Sequence, residues 1–228
     1  MAETVLLWDI DGTLTRTPAI GVKAFAAAVE TVTGTAMVAQ RYDFGGKTDP
    51  VIALELLEAI GVDDPWSVVP LVLAEVEHRY SELLPELRTV IVTLPGVVEL
   101  LTSCAGRVGT QTVVTGNIET AARCKLEAGG LQSHLDLTRG AFGSDHHDRS
   151  ELVRLALQRA GAFHDVDPLR TWVIGDTPRD AACAHANGVR CILVATGTYS
   201  VDQLDALGVD AVLPDLSRTD HVLELLGI

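Results

Sequence analysis

Positive charge is scarce in this chain, and its scarcity excludes two classes of partner. The 228 residues include 17 Lys or Arg against 31 Asp or Glu, which gives a formal net charge of −14. A chain this acidic is unsuited to general binding of nucleic acid or of anionic membrane surfaces. It can still bind a phosphate group through a metal ion, so small phosphorylated ligands are not excluded.

Long apolar runs and paired cysteines are also missing. No apolar run approaches the length of a membrane-spanning helix, and residues 1–3 lead into the first predicted strand without a basic leader segment. We therefore expect a cytoplasmic protein. The cysteines form no CxxC pair and lie in apolar contexts, which predicts buried free thiols at Cys104, Cys124, Cys183 and Cys191.

Two carboxylates lie two positions apart after the first apolar run. Residues 5–8 predict a buried strand, and the motif Asp-Ile-Asp-Gly-Thr follows at 9–13. Because side chains alternate along a strand, Asp9 and Asp11 would lie on one side, where a cation or a shared proton must relieve their repulsion. Gly12 permits a sharp turn, which leaves one carboxylate facing a pocket and lets the other swing toward it.

Two further predicted strands end in small, polar or acidic residues. The run Thr-Val-Val at 112–114 precedes Thr-Gly-Asn at 115–117, and the apolar residues 172–174 precede Gly-Asp-Thr-Pro-Arg-Asp at 175–180. In parallel α/β sheets, ligands bind beyond the carboxyl ends of the strands. The three strand ends can therefore converge on one functional site.

These three motifs resemble those of the haloacid dehalogenase (HAD) superfamily of phosphotransferases. The family's motif I is DxDGT, its motif II is a strand ending in Thr or Ser, and its motif IV is GDxxxD. Residues 9–13, Thr115 and residues 175–180 match them in order. The spacing between motifs I and II leaves room for a helical cap like that of C1-capped members, such as phosphoglycolate phosphatase and β-phosphoglucomutase. The resemblance implies a phosphatase acting on a small phosphorylated metabolite.

Strand and helix patterns predict a doubly wound, Rossmann-like α/β core with a small inserted helical cap. Helical periodicity and Asp-Pro start signals occur between residues 17 and 87, which we expect to form the cap domain. Residues 1–16 and 88–228 would form the core. There the alternation of strands and helices predicts a parallel sheet, with later strands at 135–138, 191–194 and 211–213.

The resemblance and the chemistry of the residue types together suggest roles for the acidic side chains. Asp9 is suited to attack phosphorus and form an aspartyl-phosphate, and Asp11 would protonate the leaving oxygen and then activate water. Gathering these carboxylates with Asp176 requires a hard cation, for which Mg²⁺ is expected. By resemblance, Asp9, Asp176 and the backbone carbonyl of Asp11 would bind it. Asp180 would support the site from behind or cap a helix.

The positive and neutral groups around the phosphate are less well defined. Thr115, with the backbone N–H groups of Gly116 and Asn117, would hold phosphate oxygens, or would simply cap a helix. Many C1-capped relatives carry a Lys-Pro pair at motif III, but residues 143–150 contain no lysine. The cation near the phosphate is then Arg149 or Lys125, unless both lie on the solvated surface.

Lys47 is a candidate for substrate contact from the cap. It follows two glycines between predicted cap helices, so that its loop could be presented to the core crevice. An exposed lysine is the alternative.

Gly46-Lys47-Thr48 also resembles the end of a P-loop, but the required earlier glycine falls on Arg41. An EF-hand is excluded because its closing glutamate position is Ile20, and no GxGxxG supports a dehydrogenase.

Several activities remain open within the resemblance. Asp11 favours hydrolysis of a phosphate monoester, whereas phosphonoacetaldehyde hydrolases lack this acid/base residue, although Lys47 resembles their cap lysine in placement. A β-phosphoglucomutase-like phosphomutase uses the same Asp pair. A regulatory binding protein on the same fold is the non-enzymatic alternative. The residues do not identify the substrate or the oligomeric state, and phosphoglycolate and sugar phosphates are family-level expectations.

Overall fold

A computed structural model of the protein describes residues 3–36, 43–161 and 166–228. Its strands are β1 (Glu3–Trp8), β2 (Thr15–Arg16), β3 (Val92–Thr93), β4 (Thr110–Val113), β5 (Val166–Gly175), β6 (Arg190–Val194) and β7 (Ala211–Leu213). Its α-helices are α1 (Ile20–Thr33), α2 (Asp49–Ala59), α3 (Pro65–Val90), α4 (Val97–Cys104), α5 (Glu119–Ala128), α6 (Arg149–Gly161), α7 (Pro178–Asn187), α8 (Val201–Asp205) and α9 (Thr219–Leu226).

Five strands form one parallel sheet in the order β4-β1-β5-β6-β7. The chain passes from β1 to β4 on one side and then crosses to β5 on the other, so the strand order reverses next to β1. In doubly wound sheets, ligands bind in the crevice at such a switch point. The predicted fold class is confirmed, and the carboxyl ends of β1 and β5 lie side by side.

The sheet is buried on both faces, as its apolar strands require. Alternate residues of β1 join different clusters of buried side chains. Leu6 and Trp8 pack with α4, α5 and α9, whereas Val5 and Leu7 pack with α6 and α7. Each of these four side chains is completely buried. The resulting two layers of helices hold the strand ends in fixed positions.

The three helices α1, α2 and α3 pack against one another through a separate cluster of buried side chains that also includes Ile118, Ala121 and Cys124 at α5. The short antiparallel pair β2–β3 joins the segments that leave and re-enter the sheet. Helix α3 continues to Val90, three residues beyond the predicted end of the cap. The division into a cap domain at 17–87 and a core stays a prediction.

The strand predicted at residues 135–138 is wrong. A 3₁₀ turn occupies Gln132–His134, and Asp136 Oδ1 accepts hydrogen bonds from the backbone N–H and the hydroxyl of Thr138, at 3.1 and 2.6 Å. Such local side-chain bonds compete with strand pairing. The thiol prediction is confirmed, because all four cysteines are buried and free. Among the described helices, none has the length and apolarity that crossing a bilayer requires.

Candidate active site

A cavity of about 580 Å³ lies beyond the carboxyl ends of β1, β4 and β5. The residues after these three strands line its floor, and side chains of α1, α2, α3 and the loop before α2 line its roof. The structure therefore brings all of the site residues predicted from the sequence to this cavity except Asp180. That residue lies just behind the floor, in contact with Arg149.

The turn after β1 allows close approach of the two acidic strand ends. The backbone N–H of Asp9 donates to the carbonyl of Ile174, at 2.8 Å, which continues the β1–β5 pairing. Gly12 then adopts a positive φ of 84°, and a Cβ atom there would lie 2.3 Å from a carboxylate oxygen of Asp176. A side chain at position 12 would displace Asp176. This glycine is therefore required for the packing of the acidic site.

Three buried carboxylates form a cluster that can hold a metal ion. One oxygen from each of Asp9, Asp176 and Asp180 lies within 4.8 Å of the others, and each residue is at most 4% exposed. Burial, and then repulsion between the carboxylates, raises the pKa of Asp9 and of Asp176. A hard divalent cation would offset both the burial of these negative charges and the repulsion between them, so the donor set fits Mg²⁺. The side chain of Asp11 lies outside this cluster.

Arg149, the first residue of α6, partly neutralises this cluster. Its Nη2 atom lies 2.8 Å from Asp9 Oδ1 and 2.5 Å from Asp180 Oδ1. The other oxygen of Asp180 accepts hydrogen bonds from the hydroxyl and the backbone N–H of Thr177, at 2.7 and 3.0 Å, which caps α7. Asp180 therefore caps a helix and positions Arg149 at the same time.

Lys125 belongs to a second network, centred on Asp11. Its Nζ atom lies 2.5 Å from Asp11 Oδ2 and 2.6 Å from Asn117 Oδ1. The amide of Asn117 donates to Asp11 and to the hydroxyl oxygen of Thr115, each at 2.8 Å, and the Thr17 hydroxyl donates to Asp11 at 3.2 Å. Burial would raise the pKa of Asp11, but the Lys125 ammonium and these hydrogen bonds outweigh burial and lower it.

The loop before α2 packs directly on the core. Its Lys47 carbonyl approaches Gly116 so closely that a Cβ atom there would lie 2.0 Å from the oxygen. The Lys47 ammonium lies 2.6 Å from Glu55 Oε2, and the lysine side chain is 14% exposed. The guanidinium of Arg179 donates to the carbonyl of Gly45 at 2.7 Å. Lys47 therefore lines the cavity with its charge already paired.

Sequence reasoning missed Asp49, because its position before Pro50 indicates only the start of a helix. Its Oδ2 atom accepts a hydrogen bond from the backbone N–H of Ile118 at 2.7 Å, and it is 5% exposed. Burial raises its pKa to about 7, although the nearby Lys125 ammonium lowers it. Tyr80 of α3 was missed as well. No local pattern distinguishes either from a helix cap or a core aromatic residue.

A family model and a protein of known sequence match this chain. A family model described as HAD-hydrolase-like matches residues 149–219, which include Arg149 and motif IV. "Probable phosphatase IndB" of Dickeya dadantii (strain 3937) is 30% identical over 223 residues, which cover 95% of this chain and 91% of that protein.

Solved structures with the same fold cover almost the whole chain. A hydrolase from Pseudomonas syringae has a TM-score of 0.71 at 21% identity, over 97% of this chain and 98% of that one. CbbY from Rhodobacter sphaeroides, solved in complex with phosphate, has a TM-score of 0.72 at 19% identity, over 100% of both chains. With the family model and the Dickeya relative, these similarities establish that the chain belongs to the haloacid dehalogenase superfamily of hydrolases.

Proposed function

We propose that the chain is a Mg²⁺-dependent phosphatase that hydrolyses a small phosphate monoester through an aspartyl-phosphate, with Asp9 as nucleophile and Asp11 as acid and base. The observation that carries this proposal is the convergence of Asp9, Asp11, Thr115 and Asp176 on one cavity beyond three strand ends. The Dickeya relative, named a phosphatase, supports the same class of reaction.

Asp9, Asp176 and the backbone carbonyl of Asp11 would hold the Mg²⁺, with Asp180 behind them. The cluster of buried carboxylates supports this assignment, because their mutual repulsion favours a bound cation. When bound, the metal would offset the negative charge of the phosphate and of the attacking carboxylate. Arg149 would keep Asp9 oriented toward the phosphorus through its contact with Asp9 Oδ1.

The chain's own residues then account for both chemical steps. A carboxylate oxygen of Asp9 bonds to phosphorus as the bond to the ester oxygen breaks, and Asp11, in its protonated form, gives a proton to the leaving alcohol. Asp11 next takes a proton from water, whose oxygen attacks phosphorus and releases Asp9 and inorganic phosphate. The Thr115 hydroxyl and the N–H groups of Gly116 and Asn117 would hold phosphate oxygens throughout.

Release of inorganic phosphate from acetyl phosphate and from p-nitrophenyl phosphate, with and without Mg²⁺, tests the proposal. We expect Asp9→Asn to abolish turnover and the acid-stable trapping of phosphate on the protein. The matched control Asp63→Asn changes an exposed residue between α2 and α3 and should retain activity. Wild-type kcat in Asp9→Asn at saturating Mg²⁺ would contradict the assignment.

Asp11→Asn separates the acid step from the attack. We expect this variant to be slowed severely with an alkyl phosphate, whose leaving oxygen needs a proton. With p-nitrophenyl phosphate the first step should be partly rescued, because p-nitrophenolate leaves without one. Equal slowing of the first step with both substrates would remove Asp11 from the acid role.

A phosphomutase and a phosphonoacetaldehyde hydrolase are the enzymatic alternatives. A mutase would move phosphate between two hydroxyls of one sugar with little release to water, which product analysis with β-glucose 1-phosphate would reveal. A phosphonate hydrolase would release acetaldehyde from phosphonoacetaldehyde and would depend on Lys47. A regulatory binding protein would bind phosphate esters without releasing phosphate from any of them.

A further inference from the structure

The cavity above the phosphate site has a polar floor, and its roof carries an apolar patch beside the polar side chains of Asp43, Lys47 and Asp49. The apolar patch is formed by Val22 and Phe25 of α1, Phe44 of the loop before α2, Ile52 of α2 and Tyr80 of α3. The volume of about 580 Å³ lies within the range of roughly 300–1,000 Å³ that encloses drug-sized molecules. A phosphate ester of a two-carbon alcohol would leave most of this space to water. The roof therefore offers room and apolar surface for a much larger alcohol.

The charges around the cavity disfavour a second anionic group on the substrate. Every basic side chain among the described residues of the lining already contacts a carboxylate. These pairs are Lys47 with Glu55 at 2.6 Å, Lys125 with Asp11 at 2.5 Å, and Arg149 with Asp9 at 2.8 Å. A carboxylate on the alcohol would find no unpaired cation in this part of the lining and would face acidic side chains. The alcohol is therefore expected to carry no anionic group, and the apolar side chains of the roof favour one that carries no cationic group either.

Aromatic side chains shape the roof. The rings of Phe25 and Phe44 have centroids 5.8 Å apart and planes inclined at 50°, a geometry in which aromatic rings attract one another. Tyr80 is 2% exposed, and burial raises its pKa to about 12, so its hydroxyl stays neutral. Aromatic side chains of this kind pack favourably against a flat ring.

We propose that the substrate is the phosphate monoester of an uncharged alcohol that carries an aromatic ring system. The ring packs under the roof while the phosphate group lies on the floor, and the proposal rests on the phosphatase function proposed above. Filling an apolar pocket with even one further methylene changes kcat/KM about tenfold or more. A ring should therefore raise kcat/KM at least tenfold over a two-carbon alcohol.

Three esters of primary alcohols test this, because their leaving groups need similar protonation: 2-naphthylmethyl phosphate, ethyl phosphate and phosphoglycolate. We expect kcat/KM for the naphthylmethyl ester to exceed that for ethyl phosphate at least tenfold, and phosphoglycolate to be no better than ethyl phosphate. Hydrolysis of all three without preference, or a preference for phosphoglycolate, overturns the proposed substrate class alone. Hydrolysis of none of them, nor of acetyl phosphate, overturns the phosphatase function with it.

Paired variants locate the preference in the roof. Val22 lines the cavity at 43% exposure, whereas Leu71 is 60% exposed on α3 and does not line it. We expect Val22→Asp and Phe44→Ala to lower the ratio of kcat/KM for naphthylmethyl over ethyl phosphate at least fivefold, and Leu71→Asp to leave it unchanged. The ratio is independent of the folded fraction, so a less stable variant still reports it. An unchanged ratio in both roof variants would overturn the proposal.

Discussion

Asp49 Oδ2 lies 2.7 Å from the backbone nitrogen of Ile118, and this hydrogen bond joins helix α2 to the loop that carries motif II. A second bond runs the other way, from the Asp49 backbone N–H to the carbonyl of Gly116, also at 2.7 Å. These two hydrogen bonds of Asp49 hold helix α2, part of the cavity roof, against the loop that forms part of its floor. A carboxylate at this junction also makes the contact sensitive to pH.

Stability should fall as Asp49 ionises. Its pKa is raised from the ordinary value of 3.8 to about 7 by burial, with Lys125 and Asp11 as the charged groups that act on it. A raised pKa in the folded state means that the stabilisation is complete below about pH 4 and is lost as pH rises through 7. Asp49→Asn keeps the acceptor oxygen for Ile118 and stays neutral.

Denaturant unfolding of Asp49→Asn and wild type in EDTA, from pH 4 to 8, checks this expectation. The free energy of unfolding of the variant should rise relative to wild type across this range, by a few kcal/mol at most, since one unit of pKa shift corresponds to about 1.4 kcal/mol. Asp63→Asn, an exposed aspartate, should show no such pH dependence. A difference between Asp49→Asn and wild type that stays constant with pH would contradict the prediction.

The sequence was sufficient to predict the sheet and the acidic floor. Apolar runs that end in acidic or small residues mark β1, β4 and β5, and parallel topology then brings Asp9 and Asp176 to the same edge. The strand prediction failed at 135–138, because the apolar alternation there carried no sign that Asp136 would bond to Thr138 and turn the chain. Local hydrogen bonds of this kind depend on side-chain geometry, not on residue type alone.

The partners of the basic residues could not be predicted in the same way. Residues 143–150 and 125 are far apart in sequence, and nothing local states which carboxylate each cation meets. In the structure Arg149 lies between Asp9 and Asp180, while Lys125 meets Asp11. The pairing is decided by how α6 and α5 pack on opposite faces of the sheet.

Mg²⁺ should stabilise the protein through the acidic cluster. A ligand that binds the folded chain alone adds about 2.7 kcal/mol at a concentration 100 times its Kd, which for a chain of this size corresponds to a rise in Tm of roughly 5–10 °C. Asp176→Asn should raise the Tm of the metal-free protein, because one buried carboxylate is removed, and should lose the response to Mg²⁺. Thermal melts in EDTA and in Mg²⁺ measure both effects.

Asp63→Asn is again the matched control and should respond to Mg²⁺ as wild type does. Ca²⁺ should also raise the Tm but should inhibit turnover, since its larger radius and higher coordination number can engage both oxygens of Asp9. An Asp176→Asn variant that keeps the full Mg²⁺ shift in Tm would place the metal elsewhere.

Lys125 and Arg149 should differ in what they contribute. Arg149 lies between two buried carboxylates, so Arg149→Met should lower stability by about 3–5 kcal/mol, the usual cost of breaking a buried ion pair. Lys125 contacts Asp11, whose side chain is 42% exposed at the cavity, and Asn117, which donates to Thr115, so its ammonium lies beside the proposed phosphate-binding groups. Lys125→Met should therefore weaken competitive inhibition by inorganic phosphate at least tenfold.

Thermal melts and inhibition constants for both variants separate the two roles. Each measurement is made with Mg²⁺ present, so that the carboxylates of the cluster are compensated in the same way. A larger loss of phosphate affinity in Arg149→Met than in Lys125→Met, with little loss of stability, would assign the phosphate contact to Arg149.

Variants of Lys47 and Glu55 test whether their ion pair keeps the lysine charge from binding an anionic group on the substrate. Its ammonium is 2.6 Å from Glu55 Oε2, and its side chain lines the cavity. If Glu55 keeps this charge from the substrate, Glu55→Gln should free it and lower KM for phosphoglycolate several-fold, while KM for ethyl phosphate should stay nearly constant. The double variant Glu55→Gln with Lys47→Ala should lose that gain, because the freed cation is gone.

The single variant Lys47→Ala completes a double-mutant cycle with Glu55→Gln and the double variant. We expect it to raise KM for 2-naphthylmethyl phosphate more than for ethyl phosphate, since the lysine stem contributes apolar surface where the larger alcohol would lie. Steady-state kinetics of wild type, Glu55→Gln, Lys47→Ala and the double variant on the three esters give the contribution of each residue and the coupling between the two. Equal changes for every ester, or none, would mean that Lys47 does not contact the substrate and that its pair with Glu55 only fixes the loop.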